Sequence, residues 1–186
     1  KQAIKQKEQA KLKHVQRAFD NNSLINKSLA TATFNTYKPT TPELGDVKTK
    51  LMKYVKEFDT EKSSNILLHG TYGTGKSHLS VAVTKELMQK GYTCLFLSVP
   101  KLFTKIKETY SGKSDFNEAD ILNLIESVDL FVLDDLGTEY TNMRSSDDNW
   151  AHTKLFEVLD SRSGKPTIYT TNLNSEQLRT KVNSRN

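Results

Sequence analysis

Eight consecutive residues, Gly70-Thr71-Tyr72-Gly73-Thr74-Gly75-Lys76-Ser77, carry the spacing G-x-x-x-x-G-K-S. Glycines there let successive backbone N–H groups converge on phosphate oxygens, because no Cβ blocks the approach. Lys76 is spaced to reach the β- and γ-phosphates of a nucleotide, and the Ser77 hydroxyl to ligate Mg²⁺. A second set, Asp134-Asp135, follows the apolar run Leu130-Phe131-Val132-Leu133. A carboxylate at the end of a buried strand is costly unless a cation or partner meets it. Nucleotide-bound Mg²⁺ is such a partner, which puts Asp134 in the metal shell opposite Ser77. Asp135 then faces the γ-phosphate and can orient or deprotonate a water, as in a Walker B element. Asn172 follows Thr170-Thr171, where an uncharged amide can hydrogen-bond that water or the γ-phosphate. Arg185 is the candidate to neutralise charge on the γ-phosphate of a neighbouring subunit, with Arg179 and Arg162 weaker ones. Each feature has a bland alternative: a glycine-rich turn, two solvated acids, a turn-forming Asn, a surface Arg.

The elements that must position these residues read as alternating strands and helices. Asn65–His69 fits a short buried strand ahead of the glycine loop, and a helix follows with Leu79, Val81, Ala82, Val83 and Leu87, ending near Gly91. Strand, glycine loop and helix are the context the phosphate motif requires, and the helix directs its positive dipole end at the same oxygens. Ahead of this unit, Asp46 can cap a helix to about Phe58, with Val47, Leu51, Tyr54, Val55 and Phe58 on one stripe. Behind it come a strand over Thr93–Ser98 and a helix with Pro100 in its first turn and Leu102, Phe103, Ile106 and Tyr110 as its stripe. A short helix carries Ile121, Leu122, Leu124 and Ile125. Residues 138–149 read as a polar loop, and a helix is expected from Trp150 to Ser161, closed by Gly164 and Pro166. Thr167–Thr171 is the next strand, and Asn174 or Ser175 caps a last helix ending near Arg185. Strands alternating with helices imply a parallel sheet covered on both faces. Ligands in such sheets bind beyond the carboxyl ends of the strands, where the loop, the acid pair and Asn172 all fall.

The composition narrows the class. Charged residues make up 26% and hydrophobic residues 35% of 186 residues, which suits one polar, water-exposed domain with a full core. No apolar run has the length to span a bilayer and no signal-peptide pattern opens the chain. The single Cys94 forms no internal disulfide, and a reducing, cytoplasmic setting is expected. The net charge of +5 weakly favours an anionic partner. Residues 1–20 are lysine-rich and share Ile4, Leu12, Val15 and Phe19 on one helical face, and residues 21–45 read as a linker with Pro39 and Pro42. A boundary is expected here, with 1–45 as basic helix and linker and 46–186 as the nucleotide-binding core. Within the linker, Leu24, Ile25, Leu29 and Phe34 are candidates to pack on that core. The four His are scattered, so no metal cluster of the His/Cys kind and no Ser-His-Asp arrangement is expected.

Gly70–Ser77, the stretch Leu133-Asp134-Asp135-Leu136-Gly137-Thr138-Glu139 and Tyr169-Thr170-Thr171-Asn172-Leu173 together resemble the AAA+ ATPases of the DnaC/DnaI helicase-loader group, to which the transposition ATPase IstB also belongs. The lead-in Ser28–Pro39, with Phe34 and Tyr37, is similar too. The resemblance implies an AAA+ P-loop fold of the ASCE type, with ATP and Mg²⁺ as cofactors. It implies that Gly70–Ser77 bind nucleotide, Asp134 and Asp135 are the Walker B acids, Asn172 is sensor 1, and Arg185 falls in the arginine-finger region. The implied activity is ATP hydrolysis, slow because Asp-Asp stands where many AAA+ proteins have Asp-Glu. The implied role is placing a replicative helicase on single-stranded DNA, with self-assembly through ATP at subunit contacts. A transposition helper of the IstB kind and a nucleotide-gated binding module without turnover are the alternatives; a small-molecule kinase is disfavoured because no acceptor-binding lid is evident. By this resemblance the chain is expected to stop before a last core strand, a C-terminal lid and a sensor 2 arginine, as a fragment or the ordered part of a longer protein, and no zinc-binding N-terminal domain is expected in it.

Overall fold

The computed structural model describes residues 29–112, 116–137 and 145–178, with 145–148 as backbone alone. The main elements are α1 (Pro42–Lys56), β1 (Ile66–His69), α2 (Lys76–Gln89), β2 (Cys94–Ser98), α3 (Val99–Tyr110), α4 (Glu118–Ser127), β3 (Leu130–Leu136), α5 (Ser145–Ser161) and β4 (Thr167–Thr171). The strands form one parallel sheet in the order β1-β4-β3-β2. The strand carrying Asn172 at its end therefore lies between the strand that feeds the glycine loop and the strand that carries the acids.

The two-residue alternation of a strand divides the apolar side chains between two faces. Cys94 and Phe96 of β2 and Leu130 and Val132 of β3 join one core with Leu51 and Val55 of α1 and Leu79, Val83 and Leu87 of α2. Leu95 and Leu97 of β2 and Phe131 and Leu133 of β3 join the other, with Leu102, Phe103 and Ile106 of α3, Ile121 and Ile125 of α4, and Leu155 and Val158 of α5. Helices thus cover both faces of β2 and β3, which is why those strands open as unbroken apolar runs, whereas edge strand β1 alternates half-buried and exposed residues. Ahead of α1, Ala32, Phe34 and Tyr37 are buried in the first of these cores.

Local chemistry sets the ends of the helices, and it corrects three expectations. Helix α1 starts at Pro42, not after Asp46: Thr41 is its cap, accepting from Leu44 N at 3.4 Å, and Pro42 sits in the first turn. Helix α5 starts at Ser145, not Trp150. The residues between contain no Gly or Pro to stop the helix and no apolar residue to announce it. Tyr110 is 56% exposed and not part of the α3 stripe, its hydroxyl donating to Glu118. The other ends fall as read: Pro100 lies in the first turn of α3, and Asn117 caps α4 in a reciprocal box with Asp120. The basic face of residues 1–20, with Leu24 and Ile25, lies outside the described residues. Among the described residues no helix is long and apolar enough to cross a membrane.

Candidate functional site

All four strands run the same way, so their carboxyl ends meet along one edge. Gly70 follows β1, Asp134 and Asp135 lie just before the end of β3, and Asn172 follows β4. The glycine loop leads into α2, a 14-residue helix capped by Gly75 in the left-handed conformation at φ +83°. Lys76 folds back over the loop. Its Nζ donates to Gly70 O at 2.8 Å, Thr71 O at 2.9 Å and Asn172 Oδ1 at 2.7 Å. One cation thereby joins the loop after β1 to the end of β4. Burial lowers the Lys76 pKa, and the nearby carboxylates of Asp135 and Asp134 oppose that shift. Tyr72, at the tip of the loop, is 80% exposed.

Asp134 is 4% exposed, and burial raises its carboxyl pKa. The Thr170 hydroxyl, donating to Asp134 Oδ1 at 2.6 Å, opposes the rise; the neighbouring Asp135 adds to it; the Ser77 hydroxyl bond and Lys76 oppose it. The lysine, the serine and the first acid therefore share one electrostatic environment. Asp135 departs from regular strand geometry: its φ is +61°, and the pairing of β3 with β4 shifts register between Leu133 and Leu136. A non-glycine residue in that region costs backbone energy and persists only where its surroundings hold it, commonly at functional sites. Thr170 does the holding, since the same Oγ1 that donates to Asp134 accepts from Asp135 N at 2.9 Å.

Thr170 is the residue that sequence reasoning left without a role. Its signal was its place: a hydroxyl on the strand end beside two acids. Thr171 makes the next link, donating to Leu136 O at 2.6 Å and accepting from Leu173 N at 3.1 Å. Gly137, at φ +97°, packs so closely there that a Cβ would come within 2.4 Å of Leu173 Cδ1. Leu136-Gly137 and Thr170–Leu173 are thus one interlocked unit. An apolar cavity of about 220 Å³ adjoins the loop, lined by Leu44 and Val47 of α1, Leu67, Leu68 and His69 of β1, and Thr74, Lys76 and Leu79.

Arg162 does not join the site. It is 1% exposed and lies at the opposite edge, where the strands begin. Its guanidinium donates to the carbonyls of Ile125 (3.1 Å), Glu126 (3.2 Å), Val128 (2.7 Å) and Pro166 (2.6 Å) and to Thr167 Oγ1 (3.2 Å). These bonds tie the turn before β3 to the turn before β4, so its work is structural. Arg179 and Arg185 lie outside the described residues.

The sequence profile described as IstB-like ATP binding protein matches residues 4–183. The chain is similar to the replicative helicase loader DnaC of Escherichia coli, 30% identical over 166 residues that cover 88% of this chain and 64% of that protein. Among solved structures it is similar to the DnaC helicase loader, with a TM-score of 0.70, 26% identity and 84% of this chain and 89% of that chain covered. It is also similar to DnaI, with a TM-score of 0.67, 25% identity and 85% and 81% covered.

Proposed function

The chain belongs to the family of IstB-like ATP-binding proteins, and from that premise we propose that it is a slow, Mg²⁺-dependent ATPase that places a replicative DNA helicase on single-stranded DNA. The observation that carries the reading is the junction of Lys76 with Asn172, beside the buried Asp134 and its Ser77 neighbour, at the carboxyl edge of a parallel sheet. Relatives named replicative helicase loaders support the partner. The chain spans 64% of the length of that loader, so the role of the whole protein is part of the proposal.

The residues present fit Mg²⁺-ATP. Glycines at positive φ turn the backbone of the loop, the long helix α2 presents its N-terminus, and a lysine Nζ lies over the loop carbonyls. Asp134 and Ser77 would hold the metal, which also answers the cost of burying that carboxylate. The apolar cavity beside Thr74 would take the base by contact with Leu44, Val47 and Leu79. When bound, Mg²⁺-ATP supplies the phosphoanhydride that water cleaves to ADP and phosphate. Asp135 would orient or deprotonate that water, and Asn172 would fix its position. Lys76 would neutralise phosphate charge. We place Arg185 at the nucleotide of a neighbouring subunit, which implies head-to-tail assembly, and give the basic surface of this +5 chain to the backbone of single-stranded DNA. A cytoplasmic location follows from such partners.

The test is capture of the cognate hexameric helicase by the purified protein with ATP, with ADP and without nucleotide. Capture that depends on nucleotide state supports the loader. A protein that hydrolyses ATP and captures no helicase in any state refutes it. The family profile also carries the IstB name. A transposase gene adjoining this one would favour the transposition role.

A further inference from the structure

The segment ahead of α1 is not a spacer. Residues 29–41 form a strap laid along α2, and side chains from α1 and α2 hold it. Lys85 of α2 donates to Ala30 O and, at 3.0 Å, to Ala32 O. His78, next to Ser77, places Nε2 2.9 Å from Thr33 O and 3.2 Å from Thr36 Oγ1. Thr33 and Thr36 lock the strap on itself, each backbone N–H donating to the other's hydroxyl at 2.9 and 3.1 Å. Lys48 of α1 reaches Tyr37 O at 3.5 Å.

Tyr37 is where the strap meets the glycine loop. Its hydroxyl donates to Thr74 O at 2.8 Å. Its ring lies so close to Gly75 that a Cβ there would come within 2.4 Å of Tyr37 Cε2. The same ring packs against His78, centroids 5.5 Å apart. Tyr37 therefore grips both sides of the Thr74–Gly75 peptide, the limb whose amides lead into the N-terminus of α2. The position of those amides decides how well the loop binds phosphate, since backbone N–H groups act only when they point at the oxygens. Gly75 stands at φ +83°, where the backbone needs outside support to hold one geometry.

We propose that Tyr37 is a positioning residue for nucleotide binding, and that the strap is the wall against which the glycine loop takes its phosphate-binding form. This rests on the nucleotide reading above. Tyr37 touches no phosphate in this role; it acts through Thr74 and Gly75. ATP and ADP both engage the loop through their β-phosphate, so loss of Tyr37 support weakens both alike. Turnover of bound ATP, which depends on Asp135 and Asn172, stays the same. Nucleotide binding in turn tightens the strap.

The experiment compares wild type, Tyr37→Phe and Phe34→Leu. Phe34 is buried in the same core as Tyr37, so its variant reports on stability. Affinity for fluorescent ATP and ADP, single-turnover hydrolysis, melting temperature and amide exchange of residues 33–37 are measured for each. Tyr37→Phe should weaken both nucleotides by about threefold to tenfold, the worth of one hydrogen bond. Its single-turnover rate at saturation should match wild type. Phe34→Leu should melt earlier and bind normally. In wild type, nucleotide should slow exchange in the strap, and in Tyr37→Phe that protection should shrink. Unchanged affinity in Tyr37→Phe overturns the proposal, as does an equal loss in Phe34→Leu, which would make the strap a matter of stability only. A wild type that binds no nucleotide overturns the nucleotide reading itself, and this inference with it.

Discussion

Replacing Thr170 by Val removes one hydroxyl and leaves the shape of the strand end. That hydroxyl donates to the Asp134 carboxylate at 2.6 Å and accepts from Asp135 N at 2.9 Å. A hydrogen bond to a charged group is worth about 1.5–3 kcal/mol, and a buried amide left without a partner costs about 1–3 kcal/mol. Val fills nearly the same volume, so no cavity term is added. The two losses are coupled, which places the net destabilisation at about 2–5 kcal/mol. Against a domain stability of about 5–15 kcal/mol this is large for the loss of one oxygen atom. The Thr170 bond also lowers the Asp134 pKa against the effect of burial. Its removal lets that pKa rise further, so the acid takes up a proton at higher pH. Mg²⁺-dependent ATP hydrolysis by Thr170→Val should therefore begin to fall at a higher pH than in wild type as the solution is acidified. Urea unfolding gives the first quantity and the pH profile of turnover the second. A variant within about 0.5 kcal/mol of wild type, the ordinary range of surface changes, and with the same acid limb, would refute the role given to Thr170.

Asp134→Asn separates stability from function. Burial raises the Asp134 pKa, so ionising it opposes folding. That penalty is absent below the unfolded pKa, grows as pH rises through the folded value, and is constant above it. The variant should melt higher than wild type near neutral pH, with the gap closing on acidification, while Mg²⁺ ceases to tighten nucleotide binding; calorimetry across pH checks both. Asp135→Asn should keep Mg²⁺-ATP bound, because Asp134 and Ser77 remain, and lose at least about a hundredfold in turnover, the size of a general-base effect, read by single-turnover hydrolysis. Arg162→Met removes the guanidinium donor from four carbonyls and Thr167 Oγ1 and should cost at least about 1–3 kcal/mol in urea, with nucleotide affinity unchanged in the folded fraction.

The parts of this molecule that were legible in sequence are those written in local pattern. Short apolar or β-branched runs marked strands over Asn65–His69, Thr93–Ser98, Leu130–Leu133 and Thr167–Thr171, and the structure has strands at all four places. The spacing from Gly70 to Ser77 located the loop, because phosphate binding constrains consecutive residues. What stayed hidden depends on partners far apart in the chain. Nothing near Arg162 announces that five acceptors, from the end of α4 and from the residues leading into β3 and β4, converge on it, and an arginine is usually exposed. Asp135 gave no sign of φ +61°, since that geometry is imposed by Thr170, 35 residues later. Thr41 outcompeted Asp46 as a cap because Pro42 already fixes the first helical φ. Tyr37 read as a residue of the linker and of a lead-in similar to the loader group's, and nothing in that pattern showed its ring against Gly75.

The central claim is that the edge holding Lys76, Ser77, Asp134 and Asn172 binds Mg²⁺-ATP. Calorimetric titration of ATP into wild type and Lys76→Ala, each with and without Mg²⁺, tests it most directly. Lys76 opens α2 beside the loop and lies outside both cores, so the variant should fold and melt close to wild type. The account predicts saturable, Mg²⁺-enhanced binding by wild type and its loss in Lys76→Ala. Equal ATP affinity in the two proteins would contradict it.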